Sequence, residues 1–282
     1  MVVLAVPNWS FGRDSVLLRL FEERLDRKTL KKHYLASDVD HNRTVSAFSG
    51  EHKEVKAAIL DLCGTTFPRI DLNRHVGAHP RVGALDVCPF VSQDDARDWV
   101  DGVAVDVAEQ FDVPVFLYEK SEKGRHEADL PTLRRGGFGL LIGRKINPDY
   151  GPEHAHERLG VTVMGQRDFL VALNVDLETE DKAIVQKIAK EVRQLRQDGD
   201  QRFLGVRALG LSLPSRGQTQ VSLNLTLPDL TPIDPIVEWV SERAEQYGAK
   251  VVGPELIGVI RDVDMEHATS VQVKPEQVVA TR

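Results

Sequence analysis

Apolar residues come in short bursts along this chain, and the spacing inside each burst alternates between strand-like and helix-like. Residues 2–6 form a continuous apolar run of strand length. After Asp14, the residues Leu17, Leu18, Phe21 and Leu25 share one face of a helix. Residues 33–35 and 43–48 read as strands around the polar turn Ser37-Asp38-Val39-Asp40-His41-Asn42, expected to be a solvated turn with Asx-type hydrogen bonds. Val55, Ala58, Ile59 and Leu62 mark a second helix, with Gly64 as its expected stop, and Ile70 begins a short extended piece. The order is β-α-β-β-α-β.

A further strand is expected at 84–91. Ser92 with Asp95 three residues on reads as an N-terminal cap, ahead of a helix with Ala96, Val100, Val103, Val107 and Phe111 on one face. A strand at 113–118 follows. From 119 to about 160 regularity fails, and Gly136, Gly137, Gly139, Gly143, Pro148, Gly151 and Pro152 all fall there; so long a loop tends to be functional or mobile. The last third repeats the first pattern. A strand at 169–175 leads to an acidic helix start at Thr179, Glu180 and Asp181, and that helix buries Ile184, Ile188, Val192 and Leu195. A hairpin joins 206–213 to 220–226. Asp234 as N-cap and Pro235 as first helical residue open the last helix, with Val237, Val240, Ala244 and Tyr247 on its stripe, and 251–260 closes as a strand. The fold class that follows is α/β (α+β), built from two similar ferredoxin-like β-α-β-β-α-β subdomains, one over 1–169 and one over 170–282.

Composition bounds what such a chain does. Its 282 residues are 41% hydrophobic and 28% charged, enough to bury a core and too apolar for disorder. Aromatics are 6%, so aliphatic packing carries that core. Two cysteines, Cys63 and Cys88, exclude a disulfide scaffold and a Cys-rich metal site, and both read as core. No apolar stretch reaches the length of a membrane span, and the first residues lack the basic region of a signal peptide. A cytoplasmic protein without membrane contact is expected. The net charge of -7 argues against nucleic acid as partner. That charge is uneven: residues 131–148 hold Arg134, Arg135, Arg144 and Lys145 and no acid, and in 67–83 Arg69, Arg74 and Arg81 outweigh Asp71. Basic stretches on an acidic chain suit a small anion or form an ordinary solvated loop.

The sharpest local feature is Arg74-His75-Val76-Gly77-Ala78-His79-Pro80-Arg81. His75 and His79 have zinc spacing for a helix, but Gly77 and Pro80 oppose a helix there, so no metal is expected. His79 reads either as a proton carrier held in a tight loop beside Arg81, which would hold a carboxylate, or as a histidine that only bonds loop backbone. Gly137-Phe138-Gly139 lacks the third glycine of a dinucleotide fingerprint. Asp38, Asp40 and His41, and His154 with His156, are weak metal patterns.

Four stretches together are specific: PNWSFGR at 7–13, HNRTV at 41–45, GAHPRVGALDVCPF at 77–90 and PDYGP at 148–152. FLVALNVDL at 169–177, VRALG at 206–210, QVSLNL at 220–225 and GPELIGV at 253–259 add to them. With these the chain resembles the glutamate formimidoyltransferase (formiminotransferase) family, including the N-terminal part of formiminotransferase-cyclodeaminase. The resemblance implies two α/β subdomains with a substrate cleft between them. It also implies transfer of a formimino group from N-formimino-L-glutamate to N5 of tetrahydrofolate, giving 5-formimidoyltetrahydrofolate and L-glutamate, a late step of histidine degradation. Tetrahydrofolate would be a co-substrate, and the partners would be small molecules and a second copy in a homodimer. The family's catalytic histidine matches His79. Its folate-binding loop matches Gly151, Pro152, Glu153, His154, Ala155, His156, Glu157, Arg158, Leu159 and Gly160. By charge, Arg43, Arg81 and the basic stretch around Arg134 and Arg144 are candidates to hold substrate carboxylates, and Asn42 is a further substrate candidate. No cyclodeaminase part is expected after Arg282. Two family acids are replaced, by Ala36 and by Ala78, which keeps two alternatives in view: formyl transfer between 5-formyltetrahydrofolate and glutamate, and a folate-binding paralogue without turnover.

Overall fold

The computed structural model describes residues 2–280 and divides the chain into two compact units, one running through Arg167 and one starting at Asp168. In the first unit the opening apolar run is one strand in two pieces, β1 (Val2–Ala5) and β2 (Asn8–Trp9), because Pro7 has no N–H to give the ladder. Helix α1 (Ser15–Leu25) starts where Asp14 accepts from the N–H groups of Val16 and Leu17, and it buries Leu17, Phe21 and Leu25. Strands β3 (Lys31–Asp38) and β4 (Arg43–Glu51) form an antiparallel pair. Helix α2 (His52–Thr66) runs past Gly64. The expected stop is thus wrong: a lone glycine costs a helix about 1 kcal/mol, too little to end one whose next turn buries Thr66 and leads into buried Phe67. Pro68, in the short 3-10 turn Phe67–Arg69, ends the run instead.

Strand β5 (Leu85–Val91) completes the unit. The order is then β3, β4, the β1/β2 strand, β5, all antiparallel neighbours. In terms of the four strands of the motif, this is fourth, first, third, second, read from the β5 edge. The sheet does not stop there. Helix α3 (Arg97–Phe111) crosses to β6 (Val115–Leu117), and after the short helix α4 (Leu130–Leu133) the chain returns as β7 (Thr162–Gln166). Strand β7 lies between β5 and β6, parallel to both. Ser92 and Asp95 do not form the expected box. Ser92 accepts only from Asp94 N–H at 3.3 Å, while Asp95 accepts from Arg97 N–H at 3.1 Å and Gln166 accepts from Ala96 N–H at 2.9 Å. The strand expected over 113–118 is shorter at both ends, since Pro114 cannot donate.

The second unit has strands β8 (Val171–Leu177), β9 (Val206–Leu213), β10 (Gln218–Leu225) and β11 (Val251–Ile257) and helices α5 (Lys182–Gln197) and α6 (Ile233–Gln246). Its sheet order is β11, β8, β10, β9, again fourth, first, third, second, and wholly antiparallel. Asp181 caps α5 as expected. Asp234 does not cap α6, whose cap position is Pro232. Its carboxylate instead accepts from the N–H and O–H groups of Thr269 and Ser270 at 2.6–3.0 Å, tying the tail to the helix. The last strand ends at Ile257, and Ile260–Arg261 (β12) pairs in parallel with Val278–Val279 (β13).

Each unit has its own core. The first is centred on Trp9, Phe21, Phe48, Ile59, Leu85 and Phe90, the second on Val175, Ile188, Phe203, Leu223 and Val240. Cys63 and Cys88 are buried in the first core, and burial pushes both thiols well up. A smaller cluster of Val82, Val87, Phe116, Tyr118, Val161 and Val163 receives Leu130, Leu133, Leu141 and Ile146. Those four leucines and isoleucines hold down a segment that regular structure barely organises. Among the described residues no helix is long and apolar enough to cross a membrane.

Candidate active site

His79 sits in the loop between α2 and β5, and three other chain segments fix that loop. The turn after β3 closes when His41 N–H donates to Asp38 at 2.7 Å, the expected Asx bond. The turn is not solvated as expected: Asp40 and His41 are buried, because the histidine loop covers them. Ala78 N–H donates to the Asp40 carbonyl at 3.0 Å, and a Cβ at position 77 would lie 2.2 Å from the His41 carbonyl oxygen, so only glycine fits. His75 Nε2 donates to the Asn42 carbonyl at 2.9 Å. Arg81 is 6% exposed and donates to the His41 carbonyl and, at 3.4 Å, to Ser10 Oγ. Ser10 in turn donates to the Gly83 carbonyl at 2.6 Å.

Asn42 is a brace in this arrangement. Its side chain accepts from Gly12 N–H at 2.9 Å and donates to the Val76 carbonyl at 3.2 Å, joining two loops, with its own φ at 46°. Both polar atoms are spent on backbone. Arg81 is similarly engaged through both terminal nitrogens, so the free fork expected of it is not there; only its buried Nε lacks a partner.

The imidazole of His79 is half-buried, with the His41 ring 6.4 Å away. A carbonyl can only accept, so the 3.0 Å contact with the Pro80 carbonyl assigns the proton to Nδ1 and leaves the Nε2 lone pair as the basic site. Burial, then the charges of Arg43 and Arg134, with a smaller push from Arg81, hold the ring well below the ordinary histidine range. It is a neutral base at neutral pH.

Arg43 comes from the first position of β4, where its backbone pairs with Asp38, and its side chain has no hydrogen-bond or ion-pair partner among the described residues. Burial and the charge of Arg134 push its guanidinium down, against the pull of Asp86 and Asp38. Burial also lowers Arg81, to about 10, and Asp86 opposes the fall. Arg134 follows α4 and pairs with Asp86 at 2.5 Å. Asp86 is 1% exposed, and its other oxygen accepts from Val82 N–H at 2.8 Å. Arg134 therefore pairs with Asp86, while the charges of Arg43 and Arg81 also act on His79. The remaining basic residues of the irregular segment stay away: Arg135 and Arg144 are exposed, and Lys145 pairs with Glu153 on the surface.

The 151–160 segment lies against the chain just past Arg81. Val161 N–H donates to the Val82 carbonyl, and Ala84 N–H to the Leu159 carbonyl, both at 2.9 Å. Gly160, at φ 71°, comes so close that a Cβ would lie 2.0 Å from the Val82 oxygen. His156 Nδ1 accepts from the N–H groups of Arg158 and Leu159 and closes the turn. Arg158 donates to the carbonyls of Phe67, Pro68 and Ile70, and Asn73 donates to the carbonyl of Glu157. Leu159 and Gly160 face inward, whereas Gly151, Glu153, His154, Glu157 and Arg158 are exposed; Pro152 and Ala155 are half-buried between them. Just before it, Asp149 accepts from Leu117 N–H and meets His126 Nε2, each at 2.7 Å, bracing the segment to the end of β6. Asp86 was missed by sequence reasoning, although a charged residue within the apolar run LDVCPFV was a visible signal. Ser10 and the backbone of His41 carried none.

Comparison with known proteins decides the family. The model of the formiminotransferase domain's N-terminal subdomain matches residues 2–167, and that of the formiminotransferase domain matches 172–281. The chain belongs to the formiminotransferase family. Its formiminotransferase relatives include the glutamate formimidoyltransferase of Streptococcus pyogenes serotype M1, 33% identical over 92% of this chain and 88% of that one. The glutamate formimidoyltransferase of Thermoplasma acidophilum is 34% identical over the same shares. The formimidoyltransferase-cyclodeaminase of Sus scrofa is 32% identical over 92% of this chain and 50% of its own length. The chain is accordingly a mixed α/β protein of two domains.

Proposed function

We propose that the protein transfers the formimino group of N-formimino-L-glutamate to N5 of tetrahydrofolate, leaving 5-formimidoyltetrahydrofolate and L-glutamate, with His79 as base and then acid. The observation that carries this reading is the setting of His79: its Nδ1 faces the Pro80 carbonyl at 3.0 Å, which leaves Nε2 as the basic atom, in a loop fixed by buried Arg81. N5 attacks the formimino carbon and its proton passes to Nε2. The bond from that carbon to the glutamate nitrogen then breaks, and Nε2 returns the proton to the leaving nitrogen. A positioned acid–base group of this kind contributes about 10²–10⁴-fold, and holding the two substrates together supplies much of the rest. The substrates are polycarboxylates, and the surplus guanidinium charge of Arg43, Arg81 and Arg134 favours them. Asn42 serves by holding the loops. The 151–160 segment, tied beside Arg81, is the part that would hold the folate.

A formyl donor is the second reading, and the same charge surplus favours it. Attack on a formyl carbon creates an oxyanion, which guanidiniums stabilise, and Ala36 and Ala78 offer no acid to an amidinium. The deciding assay mixes the protein and tetrahydrofolate with N-formimino-L-glutamate or with N-formyl-L-glutamate, beside a folate titration. Formimino transfer lost in His79→Ala supports the first reading, and transfer from the formyl donor alone supports the second. Folate binding without transfer from either removes catalysis from both.

A further inference from the structure

We propose that Asp86 is a positioning residue that draws Arg134 to His79, so that Arg134, Arg43 and Arg81 together take the α-carboxylate of the glutamate donor. The inference rests on the functional reading above and adds which carboxylate is recognised and by what.

Asp86 is an anomaly within β5. The first six residues of that strand are buried, and the rest of them are Leu, Val, Cys, Pro and Phe. An ionised carboxylate there loses its hydration and needs a compensating charge. One oxygen serves Val82 N–H, which an amide would serve equally. The other meets Arg134, from a segment forty-eight positions away. The surrounding contacts set up that meeting: Asp129 starts α4 by accepting from Thr132 N–H, Leu130 and Leu133 pack on the Val82 cluster, and Phe138 N–H donates to the Arg81 carbonyl at 2.7 Å. Its neighbour Arg135, without an acid, remains in solvent.

What Asp86 assembles is incomplete without an anion. Among the described residues the buried Nε groups of Arg81 and Arg134 make no hydrogen bond, and the half-buried Arg43 side chain has no hydrogen-bond or ion-pair partner. Buried donors of this kind call for an acceptor. Arg81 donates to the carbonyl of His41, whose ring lies 6.4 Å from that of His79, and the segment that carries Arg134 is tied to the Arg81 carbonyl through Phe138 N–H, so the anion that completes the set lies close to the reacting atoms. In the donor the α-carboxylate is three bonds from the transferred carbon and the distal carboxylate five, so the near one fits.

The test removes that carboxylate from the substrate. N-formimino-L-glutamate is compared with N-formimino-4-aminobutyrate, the same chain without it, using the full-length protein and tetrahydrofolate. The wild type should prefer the first by about 100-fold in kcat/KM, the scale of one bidentate charged contact. Arg134→Gln should bring the preference to within about fivefold by raising the donor KM, with the KM for tetrahydrofolate unmoved. Asp86→Asn, which keeps an acceptor for Val82 N–H, should act in the same direction. Arg134→Lys should restore part of the preference, having the charge without the fork. If Asp86→Asn does not fold, Arg134→Gln, outside the cores, decides alone. An unchanged preference in Arg134→Gln, or none in the wild type, overturns the proposal. Should neither donor turn over, the functional reading fails separately, and the same preference is read from calorimetric binding of the two donors.

Discussion

The two units carry the same four-stranded order but balance their buried charges differently. In the second unit the buried acids are matched: Asp264 receives two nitrogens of Arg261 at 2.6–2.7 Å, and Asp176 receives Gln220 at 2.7 Å and Arg216 at 3.3 Å. In the first unit Asp86 pairs with Arg134 alone, and among the described residues the buried Nε groups of Arg81 and Arg134 have no acceptor. A matched pair holds a fold together, whereas an unmatched cluster is costly by itself and becomes favourable only with a ligand. Shared topology thus supplies the scaffold, and the mismatch singles out the unit in which chemistry is expected.

The largest effect should come from opposing a group of the unmatched cluster to one of a matched pair. His79→Ala should lower kcat by about 10²–10⁴-fold with little change in unfolding, while Asp264→Asn should cost about 3 kcal/mol of stability and leave kcat per folded molecule as it was. Steady-state rates beside urea melts separate the two, and a rate loss in Asp264→Asn would blur the division. The cores should behave alike. Phe21 packs edge-on against Trp9 at 5.3 Å and Phe203 against Trp239 at 5.0 Å, and both phenylalanines are fully buried. Phe21→Ala and Phe203→Ala should each cost about 3–5 kcal/mol; a twofold difference in urea melts would show unequal cores.

A smaller effect separates the units in acid. Four hydrogen bonds outweigh partial burial and hold Asp234 at about 2, against an ordinary value of 3.8. A depressed carboxyl stabilises the fold above its unfolded pKa, and that contribution fades as pH falls from about 4 to about 2. Asp234→Ala should cost about 1–2 kcal/mol at neutral pH and flatten the stability curve in that window, seen by melts from pH 2 to 5. The finest test is a pH profile. With His79 held low by burial and by Arg43, the acid limb of kcat/KM should lie well below pH 6.5. Arg43→Gln removes a positive charge, so the limb should move toward higher pH. An unmoved limb would detach Arg43 from the histidine.

Most of this scaffold was legible from hydrophobic spacing, since both β-α-β-β-α-β runs have apolar stripes that the sheets and helices bury. The errors fell where tertiary contacts outweigh local signals. Gly64 stays helical because Thr66 and Phe67 have core to enter, and Asp234 serves a distant turn rather than its own helix. Strand β7 followed forty irregular residues and had no pattern of its own beyond its burial between β5 and β6. At the site, His79 was marked by its loop and Arg43 and Arg81 by charge. Arg134 was one of four indistinguishable basic residues until Asp86 selected it, and no local rule pairs positions so far apart. Asn42 and Arg81 read as ligand groups because a sequence does not show which polar atoms the backbone will occupy.

Strand β7 also sets the tempo at which the first sheet forms. Strands β5 and β6 meet only through it, with Val87 in register with Val163, so the sheet stays open on that side until residue 166 has left the ribosome. Pairing over so long a separation is slow, and until it happens β5 presents an apolar edge. The second unit closes its sheet over a similar separation, Leu177 to Val251, but with antiparallel pairing throughout, whereas β7 joins by parallel pairing, the slower kind. Refolding should therefore show a slow phase belonging to the first unit, with regain of transfer activity tracking that phase rather than the earlier return of most secondary structure.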